Sequence, residues 1–317
     1  MDTAETGPDP AGVSGALARA ARTAVHGGGA CGCAPGTVGP LADRDDGTVV
    51  RHGGLVAKAH APGTAPGPHA ARLALAGHPD LAGIFLPPVP GVRPEPLDGR
   101  PVTLWPYGPP VDPEDPGAAP WEEAARLLAL LHRTPPPDGP EGLPAMRAPA
   151  KAALAVERMR RTAPGHPAAG TVLAAWRTVP PDPGTRAYLC HGDFHLGQLV
   201  RDFRGSWRLI DIDDAGVGDP AWDLARPAAW FAAGLLPPEV WARFLDAYRA
   251  AGGPAAGADP WERLDLPARA LTVQTAALAL AKSTAERRAL DEVETVMIDT
   301  CARIADSRTV PAPAASP

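Results

Sequence analysis

Residues 188–231, YLCHGDFHLGQLVRDFRGSWRLIDIDDAGVGDPAWDLARPAAWF, restrict the fold more than any other part of this 317-residue chain. RAYLC reads as a short apolar strand that runs into His191, Asp193 and His195 before the apolar character resumes. LVR and WRL, on either side of the turn DFRGS, form a hairpin. With Arg201 opposite Trp207, Leu199 faces Leu209 and Gln198 falls opposite Ile210. Gln198 and Asp211 then lie side by side at the open end, because paired strands hold opposite residues about 5 Å apart. Downstream, Asp219 is a good N-cap and Pro220 a good first helical residue, so a helix starts there. Asp223 lies one turn into that helix in apolar company, where a carboxylate is costly unless hydrogen-bonded. The backbone of the preceding polar loop is the available partner.

The hairpin brings an amide oxygen, on Gln198, beside a carboxylate, on Asp211. Hard oxygen donors of this kind, few enough to leave room for water and phosphate, suit Mg²⁺ bound together with a nucleotide. Asp193, at the other end of the same loop, is placed to take a proton from an acceptor hydroxyl.

The rest of the chain sets the context for that segment. From about residue 36 to 105 it reads as short strands and turns, with TVVRH and LVAKAH flanking Gly53–Gly54 and PVTLWPYG as a further strand. After Gly108 comes a proline-rich linker. WEEAARLLALLHR follows, with Trp121, Ala124, Ala125, Leu128 and Leu131 on one helical face. LPARALTVQTAALALAKS and AERRALDEVETVMIDTCARI are also helical in pattern. The expectation is an α+β chain with a strand-rich lobe over 1–108 and a mostly helical lobe over 109–317, and a cleft between them. Residues 1–12 and 308–317 are expected to fray.

Composition narrows the partners. Thirty basic against 36 acidic residues, with no dense Lys/Arg run, argue against nucleic acid or an anionic membrane surface and for a small molecule. No apolar stretch approaches the roughly 20 residues of a membrane helix, and the start lacks a basic region followed by an apolar run, so a cytoplasmic protein is expected. Four cysteines, Cys31, Cys33, Cys190 and Cys301, are too few and too irregularly spaced for a disulfide framework, and the single residue between Cys31 and Cys33 argues against a metal knuckle. Only Lys58, Lys151 and Lys282 among the thirty basic residues are lysines, so a lysine that survives this bias marks a position that arginine does not serve.

HGDFHLGQ followed by LIDIDDAGVGDPAWDLA resembles the aminoglycoside phosphotransferase and choline kinase-like family of the protein kinase-like superfamily, with HLGQ similar to its maltokinase-like branch. The resemblance covers Tyr188 to Phe231. It implies a bilobal kinase-like fold and ATP-dependent phosphate transfer, with Mg²⁺, to a small-molecule hydroxyl, aminoglycoside-like, sugar or amino alcohol. Carried over by position, Asp193 is the catalytic base, Gln198 and Asp211 hold the metal, and Asp223 braces the catalytic loop. His191 and Asp219 give structural support, and LVAKAH supplies the phosphate-contacting Lys58. LWPYG, with Trp105 and Tyr107, falls where the family's hinge offers backbone groups to adenine. Two departures stand out. Gln198 replaces the usual Asn, and no Asp or Glu occurs between Lys58 and Asp80 to serve as the lysine's partner from the first helix.

Other readings stay open on the sequence. The glycine-rich stretch 26–36 is a candidate phosphate cover that fits no P-loop pattern. His191 is more simply a loop-fixing residue, His195 either touches the acceptor or fills the loop, and Asp213 and Asp214 are a solvated turn, further metal contacts or an acceptor rim. The two departures favour a pseudokinase-like nucleotide-binding module. In an extended segment His191, Asp193 and His195 share a face, which suits a metallohydrolase. Asp246, Glu262 and Asp265 hint at a cationic or polyhydroxylated acceptor, and the nucleotide, ATP or GTP, and the oligomeric state are left undecided.

Overall fold

The structure, a computed structural model, describes residues 12–307 apart from 28, 35, 45–46, 93, 138–141 and 183–186. The termini expected to fray, 1–11 and 308–317, lie outside the described residues, whereas Gly12 caps the first helix. The chain forms two compact units: 1–111 with 197–213, and 112–196 with 214–317.

The first unit carries a four-stranded antiparallel meander. Its strands are β1 (Val38–Arg44), β2 (Gly47–His52), β3 (Leu55–His60) and β4 (Val102–Pro106), in the order β1-β2-β3-β4. β2 and β3 pair from Gly47↔His60 to His52↔Leu55, a two-residue connection with Gly53 at φ 58°. A residue with a side chain would be strained there. Helix α1 (Val13–His26) lays Leu17 and Ala21 on Val50, Ala57, Ala59, Val102 and Leu104. Helix α2 (Pro66–Ala76) lies between β3 and β4 in sequence. The hairpin of β6 (Leu199–Arg201) and β7 (Trp207–Leu209) belongs to this unit as well. Leu209 exchanges backbone hydrogen bonds with Ile84 and Leu86, and Arg201 N–H donates to the Pro109 carbonyl.

The hairpin register is the one read from the sequence: Leu199↔Leu209, Val200↔Arg208, Arg201↔Trp207, extended by Ile210 N–H donating to Gln198 O at 2.9 Å. Asp202 holds the turn by accepting from the Arg204 and Ser206 amides, with Gly205 at φ 81°.

The second unit is mostly helical. It contains α3 (Trp121–Arg133), α4 (Ala148–Thr162), α5 (Ala169–Trp176), α6 (Ala225–Ala233), α7 (Pro238–Ala250), α8 (Trp261–Glu286) and α9 (Glu292–Asp306). A short ladder of β5 (Tyr188–Cys190) and β8 (Gly216–Gly218) completes it. Helices α4, α5, α8 and α9 enclose one apolar core around Met159, Val172, Leu280 and Met297. The helical pattern that runs through 285–304 is broken. Arg287 ends α8 at φ 52°, and Asp291 with Glu294 forms a reciprocal capping box that starts α9. Asp219 caps as expected, accepting from Ala221 N–H at 2.9 Å, but the first turn, Pro220–Trp222, is a 3₁₀ turn and the α-helix begins at Ala225. No described helix is long and apolar enough to cross a membrane.

Candidate active site

The first unit gathers acids around one lysine. β3 presents Lys58, and Asp211 and Asp213 follow β7. Lys58 Nζ donates to Asp211 Oδ1 at 2.7 Å and lies 3.0 Å from Asp213 Oδ2. No acid occurs between residues 58 and 80, and Asp213 reaches Lys58 from 155 positions away in the chain. His60 stands two residues beyond Lys58. Its Nδ1 meets Asp213 Oδ1 at 2.8 Å and its Nε2 meets Thr103 Oγ1 at 2.8 Å. Burial alone would lower the Lys58 pKa, but the two carboxylates prevail and raise it. Asp213 is held well below the usual carboxylate range, the bonds to His60 and Lys58 outweighing its burial. His69 on α2 packs edge-on to His60, with ring centroids 4.3 Å apart. Burial and the neighbouring His60 lower its pKa to about 4.

Asp211 adopts φ 62°, a left-handed conformation unusual for a residue with a side chain. Such strain collects at working positions. Gln198 is buried at the open end of the hairpin, and its backbone carbonyl accepts from the Ile210 amide. The pairing sets residue 198 next to residue 211 along the chain pair, and side-chain amide and carboxylate oxygens are donor types that suit Mg²⁺ rather than a thiophilic ion. One ammonium between two carboxylates leaves a net negative charge. In the hinge candidate, Trp105 is buried with Nε1 donating to Thr103 Oγ1 at 2.8 Å. The Tyr107 N–H is engaged by the Gly54 carbonyl, and Arg51 lies 3.3 Å over its ring. A base bound along 104–108 would therefore use other backbone groups than the Tyr107 amide.

The second unit builds the loop that bears Asp193. Asp223, 1% exposed, accepts from the His191 amide at 2.6 Å and from the Gly192 amide at 2.7 Å, the backbone bracing anticipated for it. It also meets His132 Nε2 at 2.9 Å, and His132 Nδ1 meets the Tyr248 hydroxyl at 2.8 Å. Burial would raise the Asp223 pKa, yet His132 and the loop amide keep it lowered. His191 is fully buried, with Nδ1 3.4 Å from the Asp193 amide, which makes it part of the loop's own frame. Asp219 also binds Arg263 at 2.7 Å, tying the cap to α8.

Asp193 itself is gripped from two helices. Lys151 on α4 donates to Oδ2 at 2.8 Å, and Arg226 on α6 donates to Oδ1 at 3.0 Å. Lys151 also binds Asp214 Oδ2 at 2.6 Å. Burial works against ionisation of Asp193, but Lys151 and Arg226 overcome it, and its pKa is lowered. Asp214 differs: burial and the nearby Asp193 leave its pKa raised despite Lys151. Residues 191–193 turn at Gly192, φ 80°, where a Cβ would run into the Asp214 carbonyl oxygen. Gly192→Ala is expected to lower the midpoint of urea unfolding by the equivalent of roughly 2 kcal/mol or more, through both the φ and the clash. An unchanged midpoint would mean that the loop relaxes freely.

Lys151 and Arg226 were not singled out from the sequence. The scarcity of lysine that marks Lys58 applies equally to Lys151, whereas Arg226 is one of many arginines and carries no such signal. The metallohydrolase arrangement is not formed. Among the described residues, the His/Cys/Asp/Glu groups whose ligand atoms gather within 4.8 Å do not include His191, Asp193 or His195. Two of the hinted acceptor acids lie at the surface in local pairs, Asp265 with Arg269 and Asp246 with Arg249.

The shifted groups predict a stability profile. Asp193, Asp213 and Asp223 have folded pKa values below their unfolded ones, so their contribution is complete above about pH 4 and is lost as pH falls through the lowered values. Asp214 opposes them but is one against three. Lys58 and Lys151, both raised, contribute below about pH 10 and lose that contribution above it. His69, lowered to about 4 from the usual 6.5, extends the acid limb, so urea midpoints should begin to fall below about pH 6.5, fall further below about pH 4, and fall again above about pH 10. A midpoint that rises below pH 4 would contradict the ion-pair assignments.

Comparison with solved structures gives a protein kinase-like α+β fold. A choline/ethanolamine kinase family protein from Mesorhizobium loti is 18% identical, with 86% of this chain and 88% of that one covered, at a TM-score of 0.55. A thermostable mutant of aminoglycoside phosphotransferase APH(4)-Ia, in ternary complex with AMP-PNP and hygromycin B, is 14% identical, with 87% and 95% covered, at 0.56. A choline kinase from Streptococcus pneumoniae is 14% identical, with 84% and 91% covered, at 0.55. No curated protein matches the chain in sequence. Residues 43–266 match the phosphotransferase enzyme family, and the chain belongs to it.

Proposed function

We propose that this phosphotransferase moves the γ-phosphate of ATP to a hydroxyl of a small polar molecule. The observation that carries the reading is Asp193: an ionised carboxylate, one oxygen bound by Lys151 and the other by Arg226, on a loop whose amides are fixed by Asp223. A carboxylate so held is a positioned acceptor for a hydroxyl proton. The hydroxyl oxygen gains its bond to phosphorus as the bond to the leaving ADP breaks, and Asp193 takes the proton. Its lowered pKa makes it a weak base, which suits phosphoryl transfer, where proton removal runs late and positioning dominates. Lys58 would neutralise phosphate charge. Gln198 and Asp211, with Asp213 beside them, would hold Mg²⁺, which when bound draws charge from the phosphate oxygens.

Asp213 beside Lys58 gives the lysine an acidic partner, which supports the phosphotransferase reading over a binding module without activity. Support for ATP and for a hydroxyl acceptor comes from the family and from the AMP-PNP and hygromycin B of the aminoglycoside phosphotransferase complex. The same reading places the protein in the cytoplasm, where nucleotide is supplied. Labelled ATP and GTP tested against aminoglycosides, macrolides, sugars and choline should give Mg²⁺-dependent label in one acceptor class. Folded protein that labels no acceptor from either nucleotide would contradict the proposal.

A further inference from the structure

Two cysteines that look unpromising in the sequence lie, in the fold, beside two histidines. His26 is the last residue of α1, Cys31 and Cys33 lie in the segment that follows, and His52 is the last residue of β2. One ligand atom from each of the four falls within 4.8 Å of all the others. Cys31 Sγ is 3.5 Å from His52 Nε2, and Cys33 Sγ is 3.3 Å from His26 Nε2. A tetrahedral ion with sulfur at about 2.3 Å and nitrogen at about 2.0–2.1 Å separates its S and N donors by about 3.5 Å. The two imidazole rings stand nearly perpendicular, 80° between planes with centroids 5.2 Å apart, so both can turn a nitrogen to a common centre.

A second observation comes from the backbone. Gly53, directly after His52 and at φ 58°, would bring a Cβ to within 3.0 Å of Cys33 Sγ, so the turn leaves room for the sulfur. The other two His-containing groups differ in kind. In His60–His69–Asp213 both nitrogens of His60 are engaged, by Asp213 and Thr103, and in His132–Cys190–Asp223 both nitrogens of His132 are engaged, by Tyr248 and Asp223. At His26 and His52, Nε2 instead faces a thiol.

We infer that His26, Cys31, Cys33 and His52 form a structural zinc site. Two thiolates and two imidazoles select a borderline-soft ion over Mg²⁺. Four protein ligands close the coordination sphere, which leaves no position for substrate and marks the site as structural. The ion would fasten the end of α1 to the end of β2 across 27–37, whose described residues lie outside helices and strands before β1 begins, and the glycine-rich stretch 26–36 thereby gains a role other than covering phosphate. The site does not depend on the phosphotransfer reading.

Protein purified under reducing conditions, without chelator or a metal-affinity step, should contain about one zinc per chain by elemental analysis. Replacement by Co²⁺ should give intense tetrahedral d–d bands with thiolate charge transfer. The double variant Cys31→Ser/Cys33→Ser should lose both signals. A strong chelator should lower the Tm of the parent by on the order of 5 °C and leave the variant unmoved. If the variant fails to fold, the chelator and Co²⁺ arms on the parent decide alone. Absence of thiolate charge transfer, a Cys31–Cys33 disulfide in the reduced preparation, or equal zinc in a folded double variant would overturn the assignment.

Discussion

Asp223→Ala is expected to destabilise the protein by about 3–5 kcal/mol, a large fraction of the total stability of a domain. The carboxylate side chain is fully buried and accepts from two loop amides and from His132. Its removal leaves the His191 and Gly192 N–H groups and His132 Nε2 without an acceptor where water does not reach, and each such group costs about 1–3 kcal/mol. Asp223→Asn should cost less, because one side-chain oxygen remains. Tyr248→Phe, which removes the hydroxyl that meets His132 Nδ1 and accepts from the buried Ala255 amide, should cost about 1–3 kcal/mol. Urea unfolding of the three variants checks the order. An Asp223→Ala loss below about 1 kcal/mol would show that the loop does not depend on this acid.

Asp193→Asn and Asp211→Asn are expected to separate chemistry from binding. The first keeps the shape of the side chain and removes the charge, and it should reduce kcat roughly 100- to 10,000-fold, the range for loss of a general base. Nucleotide affinity should change by no more than about threefold, because Asp193 meets Lys151 and Arg226 and takes no part in the Lys58 cluster. Asparagine is the right replacement at 211 as well, since it tolerates the left-handed conformation at φ 62° while alanine would add strain. Asp211→Asn should weaken Mg²⁺-dependent nucleotide binding at least about tenfold, about 1.4 kcal/mol. Calorimetric titration with Mg-ATP, alongside steady-state rates, reads both effects. A binding loss in Asp193→Asn equal to that in Asp211→Asn would merge the two roles and contradict their division.

Features with short-range causes were legible in the sequence. The α3 face follows from apolar spacing and is buried as read at Ala124, Ala125, Leu128 and Leu131. The β6–β7 register follows from one turn and two three-residue strands. The bonding of Asp223 follows from a buried charge needing donors, with a polar loop the nearest source. Features with long-range causes were not legible. Lys58 finds Asp213 across 155 positions, and Asp193 finds Lys151 across 42 and Arg226 across 33. No local pattern encodes those meetings. Helix α1 escaped for a different reason. It buries only Gly15, Leu17 and Ala21, and small residues mark no face. The Cys31–Cys33 pair failed as a motif because its histidine partners lie at the ends of separate elements, α1 and β2.

Single-turnover transfer, with Mg-ATP saturating both proteins and the acceptor found by the label screen, tests the account most directly. At equal nucleotide occupancy the parent should place one phosphoryl group on an acceptor oxygen, and Asp193→Asn should form that product at least about 100-fold more slowly. Equal rates from the two proteins would show that the carboxylate held by Lys151 and Arg226 does not act in the chemical step.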